Sequence, residues 1–170
     1  MVSQRKFNEL KISTNSRLHF GFLNLDSHQP YSFGSMGLTV NKHKTCIQIS
    51  KSKNFHSNLS KVYTNKIKDF IKTMKLDRNI HINCSIKPDS HIGLGSGTQL
   101  VMALEEGVSK FYNFETVKNI FLRKFRSGVG YNAYLKGGFI IDCPKNNSKS
   151  NELIFNRNFP KKWKIILLFD

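Results

Sequence analysis

Residues 89–98, DSHIGLGSGT, carry three glycines (Gly93, Gly95, Gly97) and two small hydroxyl residues (Ser96, Thr98). Before them, 80–86 alternates apolar and polar residues and reads as a strand. After them, about 99–112 shows helical spacing. The order strand, glycine-rich loop, helix presents backbone N–H groups and a helix N-terminus to one point. That is a site for an anion, most often phosphate. Gly93, Leu94, Gly95, Ser96, Gly97 and Thr98 are the candidate cradle.

A second set of polar residues could face such a ligand. In 16–25, Leu18, Phe20 and Phe22 share one strand face, so Arg17 and His19 point to the other, with Gly21. An Arg and a His side by side could grip an anion; an exposed strand face with ordinary polar residues fits the spacing equally well. Arg126 and Ser127 precede a second small-residue segment through Ala133; a surface arginine ahead of a turn is an equal reading there. Asp142 closes an apolar stretch and reads as a strand-end aspartate capping a turn, ahead of a role in holding magnesium. Glu105 and Glu106 read as solvated residues on an exposed helix face.

These residues need a scaffold. Strands are expected at 7–12 and 16–25. Residues 31–40 read as a glycine-containing loop entering a strand, and 45–50 as an edge strand. The clearest helix is 60–76, with Ser60 as N-cap, Ile67, Phe70, Ile71 and Met74 inward, and a solvated face of Lys61, Lys68, Lys72 and Lys75. Leu100, Leu104, Val108 and Phe111 make one stripe on the helix after the loop. A short helix is expected at 115–124, and a glycine turn into a buried strand at 136–142. Residues 143–158 read as a polar surface excursion, and 163–169 as a central strand.

The net charge is +16 over 170 residues, with a pI near 9.9. That charge would suit nucleic acid, an anionic membrane or a phosphorylated substrate. The lysines are dispersed and no nucleic-acid-binding motif accompanies them, so charge alone gives nucleic acid little support. No apolar run is long enough to span a bilayer, and the N-terminus has no secretory h-region. Cys46, Cys84 and Cys143 are far apart and form no CxxC pair, as expected of reduced thiols in a cytoplasmic protein.

Four blocks, SRLHFGFLNL (16–25), GSMGLTV (34–40), HIGLGSGTQL (91–100) and RSGVGYNAYLKGGFIID (126–142), together resemble the GHMP kinase superfamily. Within it they look closest to the beta-ribofuranosylaminobenzene 5'-phosphate synthase branch. Kinases of the superfamily commonly carry a second serine where this chain has Gly97. Many also carry an aspartate, a base toward the acceptor hydroxyl, after a Ser-Gly-hydrophobic step; here that step ends at Gly130. Both differences favour the synthase branch.

The resemblance implies an α+β fold of the ribosomal-protein-like two-layer type: a mixed, mostly antiparallel sheet with helices on one side. It implies that 1–170 is the N-terminal domain of a two-domain architecture. The C-terminal domain would then be supplied by a separate chain or lost by truncation, and a homo-oligomer is also open. An exposed apolar face is expected where that domain docks. The implied reaction joins phosphoribosyl pyrophosphate to 4-aminobenzoate or a related aromatic acid, with release of pyrophosphate and carbon dioxide, early in methanopterin-type cofactor synthesis. Magnesium is implied as cofactor. Arg17, His19, Arg126 and Ser127 would bind the substrates. An ATP-dependent small-molecule kinase and a non-catalytic phosphate-binding remnant are the alternatives.

Overall fold

The computed structural model describes residues 7–24, 34–86, 92–114, 120–121, 128–144 and 151–169. The elements run β1 (Glu9–Leu23), β2 (Gly34–Lys51), β3 (His56–Ser57), α1 (Lys61–Thr73), β4 (Ile80–Ile86), α2 (Ser96–Phe111), α3 (Val129–Leu135), β5 (Phe139–Pro144) and β6 (Asn151–Arg157). Strands and helices are mixed in the α+β manner. β3 pairs parallel with β4, while β2 pairs antiparallel with β4 and β5, and β5 with β6. The chain divides into two compact units. One is built from the described parts of 1–14, 45–87 and 100–124, the other from those of 15–44, 88–99 and 125–170.

In the first unit the core gathers Ile47 and Ile49 of β2, Ile67 and Ile71 of α1, Ile80 and Ile82 of β4, and Leu104, Val108 and Phe111 of α2. The helical stripe on α2 is buried, as its spacing predicts. Gly107 lets that helix approach the sheet closely: a Cβ there would lie 2.8 Å from Ile49 Cδ1 and 3.1 Å from Ile47 Cδ1. The lysines of α1 are exposed, with Lys68 Nζ 5.1 Å from the Phe55 ring centre. Ser60 holds the N-cap position, but its side chain makes no capping hydrogen bond.

In the second unit Val129 and Ala133 of α3 pack on Ile140 of β5, with Leu153 of β6 against them. Gly37 makes this possible. It sits opposite Ile140 in the β2–β5 ladder, and any Cβ there would collide with Val129 Cγ1 and lie 2.6 Å from Leu18 O.

Several expected elements differ. Residues 7–12 and 16–25 merge into the single strand β1. Residues 45–50 are the C-terminal half of β2, which pairs with both β1 and β4 and is no edge strand. The small-residue segment leads into α3, hidden from sequence by Gly128 and Gly130. Residues 151–157 form β6; the Asn, Glu and Arg there masked a strand that packs Leu153 on the core. Residues 163–169 form no strand: Trp163 is 68% exposed, Ile166 82% and Leu168 91%. An apolar run signals burial only when a neighbouring strand or helix covers it. The 115–124 helix lies outside the described residues except for Ile120 and Phe121, which are in a bend. Among the described residues no helix is long and apolar enough to cross a membrane.

Candidate functional site

The glycine loop enters α2 earlier than its sequence suggests. Ser96, Gly97 and Thr98 form the helix's first turn, and Gly95 O accepts from Thr98 N–H (3.1 Å) and Gln99 N–H (3.2 Å). Gly93 and Gly95 have φ of +82° and +67°, the left-handed region that glycine enters without penalty. The loop therefore turns sharply into the helix N-terminus, the end of a helix that suits an anion. Leu94 and Ser96 are buried and anchor it, and Gly93 is exposed.

Arg17 is brought to this loop. Its backbone N–H donates to Leu94 O (3.1 Å). A Cβ on Gly95 would lie 2.8 Å from Arg17 Cγ, 2.9 Å from Nε and 3.0 Å from Cζ. The arginine thus lies flat on the bare backbone of Gly95. A Cβ on Gly130 would meet the same guanidinium, 3.3 Å from Nε, and Thr98 Cγ2 at 3.0 Å. Gln99, buried, donates from Nε2 to Gly130 O (3.0 Å) and ties the start of α3 to α2. Three stretches distant in sequence, at Arg17, at Gly95 and Thr98, and at Gly130, form one contact group.

His19, half-buried on the same strand face as Arg17, accepts a hydrogen bond at Nδ1 from Gly21 N–H (3.2 Å) and stacks edge-on against Phe22 at 5.1 Å. That bond leaves its proton on Nε2. Burial first, then the Arg17 charge, push the imidazole below its ordinary value, against an opposing pull from Asp142. Its neutral form is favoured at neutral pH. Phe20 and Phe22 are half-exposed, but the alternation does not hold to the end of the strand: Gly21, with φ of +122°, interrupts it and Phe22 meets His19.

Asp142 does not cap a turn. It sits inside β5, fully buried opposite Ser35, whose Oγ donates to its Oδ1. An apolar strand around it hides the partner, since cross-strand register is not written in one strand's sequence. Glu105 and Glu106 are half-buried and engaged elsewhere: Glu105 Oε1 accepts from Phe121 N–H (3.3 Å), and Glu106 pairs with Lys110. Cys46, Cys84 and Cys143 are free thiols; burial, then the Asp142 charge, push the Cys143 thiol up. Arg126 and Ser127 lie outside the described residues. Gln99 and Ser35 were not signalled as site residues, because each acts through a contact the fold creates.

No protein-family model matches the chain. Its architecture is nevertheless shared with solved kinases. A Campylobacter jejuni protein described as a sugar kinase superposes with a TM-score of 0.70 at 14% identity, covering 88% of this chain and 56% of that one. The Methanococcus jannaschii mevalonate kinase superposes with a TM-score of 0.56 at 17% identity, covering 89% and 57%. The chain thus shares its fold with about half the length of each of these kinases.

In sequence the chain is similar to beta-ribofuranosylphenol 5'-phosphate synthases. It is 26% identical to that of Methanothermobacter thermautotrophicus over 188 residues, covering 94% of this chain and 57% of the relative. It is 31% identical to that of Methanocaldococcus jannaschii over 153 residues, covering 77% and 46%. The chain spans about half the length of the curated relatives it matches. Their name carries a phenol where the sequence reading expected an aminobenzene.

Proposed function

We propose that the chain is part of a transferase that joins a phosphoribosyl pyrophosphate donor to an aromatic acid in methanopterin-type cofactor synthesis. The reading rests on the likeness to the synthases and on the site's chemistry. The observation that carries it is the seat of Arg17 across Gly95 and Gly130. At Gly130, where the kinase resemblance would put a carboxylate base, there is no proton acceptor, and the adjoining space holds a guanidinium and Thr98. Such a site does not deprotonate an acceptor hydroxyl. It favours the departure of an anion.

In the proposed reaction the bond from ribose C1 to the pyrophosphate oxygen breaks. C1 bonds to the ring carbon that bears the carboxylate, and carbon dioxide leaves with the ring's electron pair returned to the aromatic system. Negative charge grows on the leaving diphosphate as C1 gains cationic character. The amides at 93–98, the helix dipole and Arg17 would meet that charge. Arg126 and Ser127 remain candidates for gripping the 5'-phosphate or the carboxylate. The relatives' name favours a hydroxybenzoate over an aminobenzoate as acceptor.

Among the described residues no three His, Cys, Asp or Glu side chains gather to hold a metal. Magnesium, which the resemblance implies, would arrive with the donor's diphosphate, since this ion is commonly held through substrate phosphates and few protein ligands. It would supply charge neutralisation there. The test is pyrophosphate release from phosphoribosyl pyrophosphate and magnesium with 4-hydroxybenzoate, 4-aminobenzoate or no acceptor. Release that requires an aromatic acid, with carbon dioxide in equal amount, is expected. Donor binding without turnover would reduce the chain to a binding module, and phosphoryl transfer from ATP would replace the reading with a kinase.

A further inference from the structure

Within the second unit a groove of about 850 Å³ is lined by residues of β2, the α3–β5 turn and 158–167. None of the loop residues 93–98, nor Arg17 or Gly130, lines it. Its size is that of a small-molecule site. Its floor is bare backbone. Gly137 and Gly138 have φ of +66° and +76°, and a Cβ on Gly138 would collide with Arg157 O. Gly138 O accepts from Thr39 N–H (2.9 Å), and Gly137 O accepts from Asn156 Nδ2 (2.7 Å). The carbonyls of the turn are therefore occupied and do not load the groove with negative charge.

Four lysines, Lys42, Lys136, Lys161 and Lys164, line it, and no described lining residue is Asp or Glu. Among the described residues none of the four is in an ion pair. Uncompensated charge in a concave site focuses the field on an anion. Trp163, 68% exposed, lines the same groove and meets Phe159 at right angles at 5.8 Å, which leaves much of its ring surface accessible to a flat ring.

We propose that this groove is a second binding site, for a ligand that carries both a flat ring and phosphate: a nucleoside phosphate, free or as a unit of a single strand. Lysines take the phosphates and Trp163 takes the ring. Trp163 is the chain's sole tryptophan, so its fluorescence reports this groove alone. ADP, inorganic pyrophosphate and a short oligothymidylate are each titrated against the full chain, without magnesium.

Saturable quenching by ADP and none by pyrophosphate is expected. Lys161→Ala/Lys164→Ala should weaken the ADP response by about tenfold or more, through two lost phosphate contacts. Both lysines are exposed, so the variant should fold. Arg17→Ala, which alters the loop site, should leave the response unchanged. An oligothymidylate that saturates at lower concentration than ADP, with affinity falling steeply in salt, would identify the source as a single strand; ADP the tighter of the two would identify the free nucleotide. The proposal is overturned if neither ADP nor the strand quenches, if pyrophosphate displaces ADP at equal concentration, or if Arg17→Ala abolishes the response that the lysine variant keeps.

Discussion

Gly93 and Gly95 offer a controlled pair for the role of Arg17. Both have positive φ, so alanine at either incurs a left-handed backbone cost of about 1–2 kcal/mol. They differ in what a methyl would meet. At Gly93 nothing lies within 4 Å; at Gly95 the methyl falls 2.8 Å from Arg17 Cγ. Cγ is near the backbone, whose N–H is held by Leu94 O, so the side chain cannot simply swing its tip away. The overlap adds about 1–3 kcal/mol. Gly95→Ala should therefore cost about 2–5 kcal/mol in urea unfolding and Gly93→Ala about 1–2, within a typical domain stability of about 5–15.

Ligand binding should separate them further. A displaced guanidinium forfeits a charge-assisted hydrogen bond of about 1.5–3 kcal/mol, a loss of roughly 10- to 150-fold in donor affinity by calorimetry. Gly93→Ala should lose much less. In an Arg17→Ala background the extra cost of Gly95→Ala should shrink to that of Gly93→Ala, since the colliding atom is gone. Equal losses from the two glycine variants in the wild-type background, in both stability and binding, would refute the argument.

Gly130→Asp places a carboxylate beside the Arg17 guanidinium, and should weaken donor binding about tenfold or more by competing for it, without creating ATP-dependent transfer; radiolabelled ATP would detect a gain. His19 has a depressed value, so below its ordinary 6.5 the unfolded chain takes up a proton that the folded chain resists. Wild-type Tm should fall faster than that of His19→Gln as pH drops from 7 through this value, and parallel curves would contradict the assignment. Ser35→Ala removes a donor from the fully buried Asp142 and should cost about 1.5–3 kcal/mol in chemical denaturation; Asp142→Asn in the same background should recover part of that loss.

The contrast between what was legible and what was not follows from range. The strand, glycine loop and helix over 80–112 could be read because each depends on neighbours within a few residues: alternation for β4, glycines for the turn, a 3.6-residue stripe for α2. The pairing of Arg17 and His19 on one face of β1 was legible for the same reason. Their meeting with the loop was not. Arg17 reaches Gly95 and Gly130 across many residues, through the Leu94 hydrogen bond and the Gln99 bridge.

Elsewhere local pattern misled. The run over 163–169 looked like a central strand, yet no strand pairs with it, and it carries the open tryptophan of the groove. The polar 151–157 looked like surface and became β6, because β5 offered its free edge. By itself the sequence determined which residue types line the turn and which faces are apolar. The tertiary structure alone decided that an arginine, not a carboxylate, stands beside Gly130, because a missing Cβ creates space that only long-range packing can assign.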